Sequence, residues 1–141
     1  MMNNTSVLQF IKYAIVGVMN TLVTLVVIFL CKNLLDINPL VANAIGYVAG
    51  LINSFVWNKR WVFRSSGQYV AEAVKFGCGF LLCYGLQLLT VWLLYYHSPL
   101  ETFEMSIGAY TLSGYGVSTL IGNVVYTLVN FAYNRVVTFK S

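Results

Sequence analysis

Asn53-Ser-Phe-Val-Trp-Asn-Lys-Arg-Trp-Val-Phe63 closes one long apolar block of this chain, and Val129-Asn-Phe-Ala-Tyr-Asn-Arg-Val-Val-Thr-Phe139 closes another. An offset of 76 lays Asn58 on Asn134, Lys59 on Arg135, Phe55 on Phe131, Trp57 on Tyr133 and Phe63 on Phe139, and it carries Ile45-Gly46 onto Ile121-Gly122. The blocks that precede these two also open alike, Phe-Ile-Lys12-Tyr13 against Ala-Val-Lys75-Phe76, at an offset of 63. The difference of 13 residues fits a longer connection in the second half, between Ser98 and Val117. The chain therefore reads as a duplication, with one repeat at about 8–63 and a second at about 71–139 inside a single domain of 1–141.

What each repeat is made of follows from where the charges are missing. Tyr13–Cys31, Ile37–Asn58, Phe76–Tyr96 and Met105–Asn134 hold no charged residue and no histidine, over 19, 22, 21 and 30 residues. About 20 helical residues cross the hydrocarbon core of a bilayer, so each block is long enough. None shows the ~10-residue alternation of a barrel strand. The expected fold is an all-α membrane protein with four transmembrane helices, built as two parallel two-helix repeats. The last block is over-long, and its start, Met105–Val117, reads as a loop or interfacial turn. The first block is not read as a removable signal, because it is long, Asn and Thr interrupt it, and no cleavage pattern follows.

Composition agrees. Hydrophobic residues make up 59% of the 141, charged residues only 9%. Soluble domains carry about 25% charged residues, and twelve charges cannot clothe a globule of this size in water. A soluble enzyme, a disordered chain and a secreted disulfide scaffold are excluded.

The placement of those charges sets an orientation. Lys12, Lys59, Arg60, Arg64, Lys75, Arg135 and Lys140 gather at one set of helix ends, joined by Glu72; Lys32, Asp36, His97, Glu101 and Glu104 lie at the other. By the positive-inside rule both termini and the 59–75 loop are cytoplasmic. The net charge of +4 then needs no nucleic-acid partner. Trp57, Trp61, Tyr13 and Tyr133 at one level, with Trp92, Tyr95 and Tyr96 at the other, make two aromatic belts.

Chemistry is sparse. Cys31, Cys78 and Cys83 have no metal-ligand spacing, one histidine and no acid within the blocks make no catalytic constellation, and no Walker sequence is present. No cofactor, metal or catalytic residue is expected, and the chain is not read as an enzyme. Its activity is binding or transport. Small and polar residues recur every fourth position, as Ala42, Gly46, Gly50, Ser54, Asn58 and again as Gly114, Ser118, Gly122, Tyr126, Asn130, Asn134. The glycines suit a helix–helix seam. Intramembrane amides must find partners, and Asn20, Asn43, Asn53, Asn58, Asn123, Asn130 and Asn134 exceed what one seam needs.

At these motifs the sequence resembles the GtrA-like family of small bacterial membrane proteins. The matching features are Phe10-Ile-Lys-Tyr-Ala-Ile-Val-Gly17 with Asn20-Thr21, Asn43-Ala44, Asn53 with Asn58-Lys-Arg60-Trp-Val-Phe63, and the second Asn134-Arg135 with Phe139. The second copy departs in having Val136 where the first has Arg60. The resemblance implies a multi-pass protein of the bacterial cytoplasmic membrane. Its implied task is to move a polyprenyl-phosphate-linked sugar from the cytoplasmic to the outer leaflet, for glycan assembly by a membrane glycosyltransferase. Lys59, Arg60 and Arg135 would gather the phosphate, Arg through paired donors; Asn20, Asn53, Asn58, Asn130 and Asn134 would meet the sugar and its neighbourhood, with membrane lipid around the tail. The same cations also suit helix C-termini. A homo-oligomer, most simply a dimer, would enclose more space than four helices. The alternative is a non-transporting scaffold that anchors a glycosyltransferase. A drug/proton antiporter is set aside, since no carboxylate lies within a span.

Overall fold

The computed structural model describes residues 3–140. In chain order it holds α1 (Asn4–Asn33), α2 (Pro39–Trp57), a first π turn (Asn58–Val62), α3 (Tyr69–Tyr96), a 3₁₀ turn (Pro99–Thr102), β1 (Glu104–Ile107), β2 (Tyr110–Ser113), α4 (Gly114–Tyr133) and a second π turn (Asn134–Thr138). The chain divides at Gln68/Tyr69 into two compact units, each a helical hairpin.

Local sequence starts and stops each helix. Asn3 caps α1 by accepting from the Ser6 amide at 3.0 Å, and Asn38 caps α2 by accepting from Leu40 at 2.9 Å, with Pro39 in the first turn where its missing N–H costs nothing. Ser113 caps α4 through the Gly116 amide at 3.2 Å. The end of α1 is turned by Asp36 at φ 54°, which lets the Ile37 amide reach the Cys31 carbonyl at 2.9 Å.

In the first unit α2 runs antiparallel along α1. Gly46 backs onto Thr24 and Ile28, Gly50 onto Asn20 and Thr24, and Asn53 bonds Asn20. Lys12, further back along α1, sets its ammonium 5.5 Å from the Trp61 ring centroid. In the second unit α4 does the same along α3. Tyr115 meets Tyr95 at 5.6 Å, Gly122 backs onto Gln87 and Val91, Gly79 onto Tyr133, and Phe139 closes on Phe76 at 6.1 Å.

The packing is that of helices solvated by lipid. Ala42, Gly46, Gly50, Ser118 and Gly122 are buried, whereas Val18, Leu22, Leu25, Phe29, Val48, Leu81, Leu82 and Val124 face outward. Lipid tails are as apolar as leucine, so membrane helices gain more by close backbone approach across small residues than by burying large ones. Three of the four expected helices, α1, α2 with its π turn, and α3, are long and apolar enough to cross a membrane by themselves. The 20 residues of α4 are long enough, but three glycines, two asparagines and three tyrosines dilute them.

The segment expected as a loop or turn, Met105–Val117, is instead a hairpin followed by the first turn of α4. β1 and β2 pair antiparallel, Met105 opposite Leu112 and Ile107 opposite Tyr110. Gly108 at φ 63° takes the first central position of the two-residue connection, the conformation a II′ turn requires. Absence of charge had merged this hairpin with α4; its period-two alternation, Met105-x-Ile107 and Tyr110-x-Leu112, was the signal against helix.

Candidate substrate-binding site

Both expected clusters lie where an α-helix gives way to a π turn, at positions 76 apart: Asn58–Val62 after α2, Asn134–Thr138 after α4. In each, the amide of a phenylalanine reaches back five residues to an asparagine carbonyl, Phe63 to Asn58 at 2.9 Å and Phe139 to Asn134 at 2.8 Å. Four-residue steps overshoot a turn of α-helix and drift around it. A wider π turn takes more residues per revolution, so the same step falls back. The drift is partly reversed, and Asn58 with Val62, and Asn134 with Thr138, stay on the buried face.

In the first unit the amides are spent locally. Asn53 donates its side-chain N–H to Asn20 Oδ1 at 2.8 Å, tying α2 to α1. Asn58, 1% exposed, donates to the Ser54 carbonyl at 2.8 Å and to Ser54 Oγ at 3.1 Å; its Oδ1 is buried and without a hydrogen bond among the described residues. Lys59 is also buried. Its ammonium donates to the Gly67 carbonyl at 2.6 Å and to that of Ser65 at 3.4 Å, so it clasps the loop that follows. Arg64 at φ 50° makes the bend that brings those carbonyls round. Arg60, the next residue, is exposed.

The second unit is different in kind. Asn130, Asn134 and Thr138 follow one another along the buried face at four-residue spacing. Both side-chain polar atoms of Asn134 and the Oγ1 of Thr138 are buried and hydrogen-bonded to nothing among the described residues. Buried polar atoms almost always have partners. Three such atoms a turn apart mark a place suited to water or to a ligand with several hydroxyls. Arg135 stands beside it, half-buried. Thr138 was not among the residues expected from sequence; its offset of 76 from Val62 hid it, because the first copy is apolar there. α4 is cross-tied to α3 elsewhere, by Gln87 donating to Asn123 Oδ1; Asn123 is one of the seven asparagines noted in the sequence, and Gln87 is not.

Together these features define a small helical membrane protein with a polar, cation-flanked end to each helical hairpin. Residues 12–140 match the family described as GtrA/DPMS, transmembrane domain, and the chain belongs to that family. It is 25% identical over 134 residues to the cell wall teichoic acid glycosylation protein GtcA of Listeria innocua, covering 92% of this chain and 83% of that one. It is 33% identical over 85 residues to the uncharacterized membrane protein YngA of Bacillus subtilis, covering 54% of this chain and 57% of that one.

Proposed function

We propose that this protein serves the glycosylation of a cell-surface polymer by carrying a polyprenyl-phosphate-linked sugar from the cytoplasmic to the outer leaflet. The observation that carries this reading is the set of buried polar atoms on Asn134 and Thr138 that have no hydrogen bond among the described residues, beside Arg135. In a bilayer such atoms need a polar ligand, and a sugar offers hydroxyls that both donate and accept. The teichoic acid glycosylation named for the Listeria relative favours the same substrate class. Arg60 and Arg135 would each offer a planar fork to phosphate, while Lys59, engaged with the Ser65 and Gly67 carbonyls, would chiefly shape the loop beside Arg60.

The proposal includes two parallel repeats, both termini and the 59–75 loop on the cytoplasmic side of the bacterial inner membrane, and α4 crossing alongside α3. The matching contacts favour the duplication: Gly46 on Thr24 and Ile28, Gly122 on Gln87 and Val91, carry the helix offsets of 76 and 63 from sequence into packing. A dimer belongs to the proposal as well. The glycine stripes are spent inside each hairpin, so a second copy would have to meet a lipid-facing surface. No covalent step is involved, and direction would come from consumption of the sugar by a glycosyltransferase on the far side.

The test is leaflet transfer of a labelled polyprenyl-phosphoryl sugar in vesicles containing this protein alone. Faster movement than in empty vesicles, without nucleotide, is expected. Movement no faster than in empty vesicles would shift the assignment to a scaffold that anchors a glycosyltransferase.

A further inference from the structure

The hairpin between α3 and α4 sorts its side chains completely. Its ladder puts Met105, Ile107, Tyr110 and Leu112 on one face and Glu104, Ser106, Thr111 and Ser113 on the other. The apolar face is open: Met105 is 43% exposed, Ile107 62% and Tyr110 83%. A lone two-stranded hairpin is at best marginally stable in water, so this one needs something against that face.

The occupant is indicated by what the hairpin joins. It leaves the end of α3, where Trp92, Leu93 and Tyr96 are exposed, and enters α4, where Tyr115 is exposed, so apolar and aromatic surface continues through it from one helix to the next. Its base is fixed to both helices. Ser98 Oγ donates to the Leu94 carbonyl in α3, the Gly114 amide of α4 donates to the Phe103 carbonyl at 2.7 Å, and Tyr95 packs edge-on to Tyr115. A side chain at Gly114 would fall on the Leu100 carbonyl, so glycine holds the hairpin close to the helix ends. No Lys or Arg occurs between Lys75 and Arg135, which leaves apolar and aromatic contact as the means of attachment.

We infer that the 104–113 hairpin is a membrane-interface element, with its Met105/Ile107/Tyr110/Leu112 face seated in the lipid at the end of α3 and its Glu104/Ser106/Thr111 face turned to water. This rests on the membrane character of the hairpin pair and not on the translocation reading. It places an amphipathic platform at the leaflet where α3 ends and α4 begins. Neutral lipid suffices for it, since the attraction is not to headgroup charge.

The experiment uses full-length protein in phosphatidylcholine vesicles, with spin labels on single cysteines replacing Ser106, Ile107, Tyr110 or Thr111 in a chain whose own three cysteines are removed. Collision with oxygen and with a water-soluble nickel chelate is compared at each position. Oxygen should dominate several-fold at 107 and 110 and nickel at 106 and 111, unchanged when anionic lipid is added. Nickel dominating at all four positions would overturn the inference, because the hairpin would then stand in water. Protection of 107 and 110 from both reagents would overturn it too, showing a protein on that face. If the cysteine-free chain does not fold, a photo-crosslinking residue at 107 or 110 in the wild-type background decides: adducts to lipid support the inference, adducts to protein refute it.

Discussion

Asn53 donates its side-chain amide to Asn20 Oδ1 at 2.8 Å, joining α2 to α1 about midway along their contact. At the helix offsets of 76 and 63 these positions become Val129 and Cys83, so the second hairpin has lost this tie and uses Gln87 and Asn123 instead. If Asn20 and Asn53 serve each other, Asn20→Ala and Asn53→Ala should each destabilise the first hairpin by ~0.6–2 kcal/mol, with the double variant little worse than either single one. Unfolding in mixed micelles, run as a double-mutant cycle, measures the coupling. Additive losses would show that the two amides act apart.

Gly46 and Gly122 should tolerate nothing larger. A Cβ at Gly46 would press into Ile28 and the Thr24 carbonyl, and one at Gly122 would come within 2.8 Å of Val91. Gly46→Leu and Gly122→Leu are expected to cost roughly 1–3 kcal/mol each by overpacking. Gly17 and Gly85 have nothing within 4 Å of the position a Cβ would take, and Leu there should leave the melting temperature close to wild type. The same scan in detergent tests all four.

Lys59 is expected to behave as a loop clasp. Lys59→Met removes the donor to the Gly67 and Ser65 carbonyls, a charge-assisted contact typically worth ~1.5–3 kcal/mol. Protease cleavage and amide exchange across 63–68 should rise, while Arg60→Met, at an exposed position, leaves that loop protected. Equal protection in Lys59→Met and wild type would remove the clasp.

The row beside Arg135 separates ligand from architecture. If Arg135 meets phosphate through its paired donors, Arg135→Lys keeps the charge but loses the fork, and substrate affinity should fall roughly tenfold or more. Asn134→Ala should weaken leaflet transfer and, because its two polar atoms have no partner among the described residues, should cost no stability. Lys140→Ala, beyond the row, should change neither. Binding and transfer are measured at matched membrane abundance; a stability loss in Asn134→Ala with transfer intact would make the row structural.

Much of this protein could be read in its sequence because a bilayer restricts what a chain can do. Charge-free blocks of spanning length have to close their own backbone hydrogen bonds, which favours helices, and each of the four blocks holds one, the fourth after the hairpin that opens it. The doubled Asn-(Lys/Arg) ending and its offset were likewise visible, since they depend only on residue identity. Sequence alone also carried the family, through motifs spread over nearly the whole chain.

What tertiary structure decided is where each polar group is spent. Seven asparagines looked alike in sequence, yet Asn20 and Asn53 face each other, Asn58 turns back to Ser54, and Asn134 meets nothing among the described residues. Hydrogen bonding depends on ångström-scale placement across helices, which local pattern does not contain. The π turns decide it further, by keeping Val62 and Thr138 on the buried face of Asn58 and Asn134, which a continued α-helix would have carried them past. The hairpin at 104–113 was hidden for the opposite reason: with no charge to separate it from α4, only pairing between strands, a contact across the turn at Gly108, distinguishes it from the helix that follows.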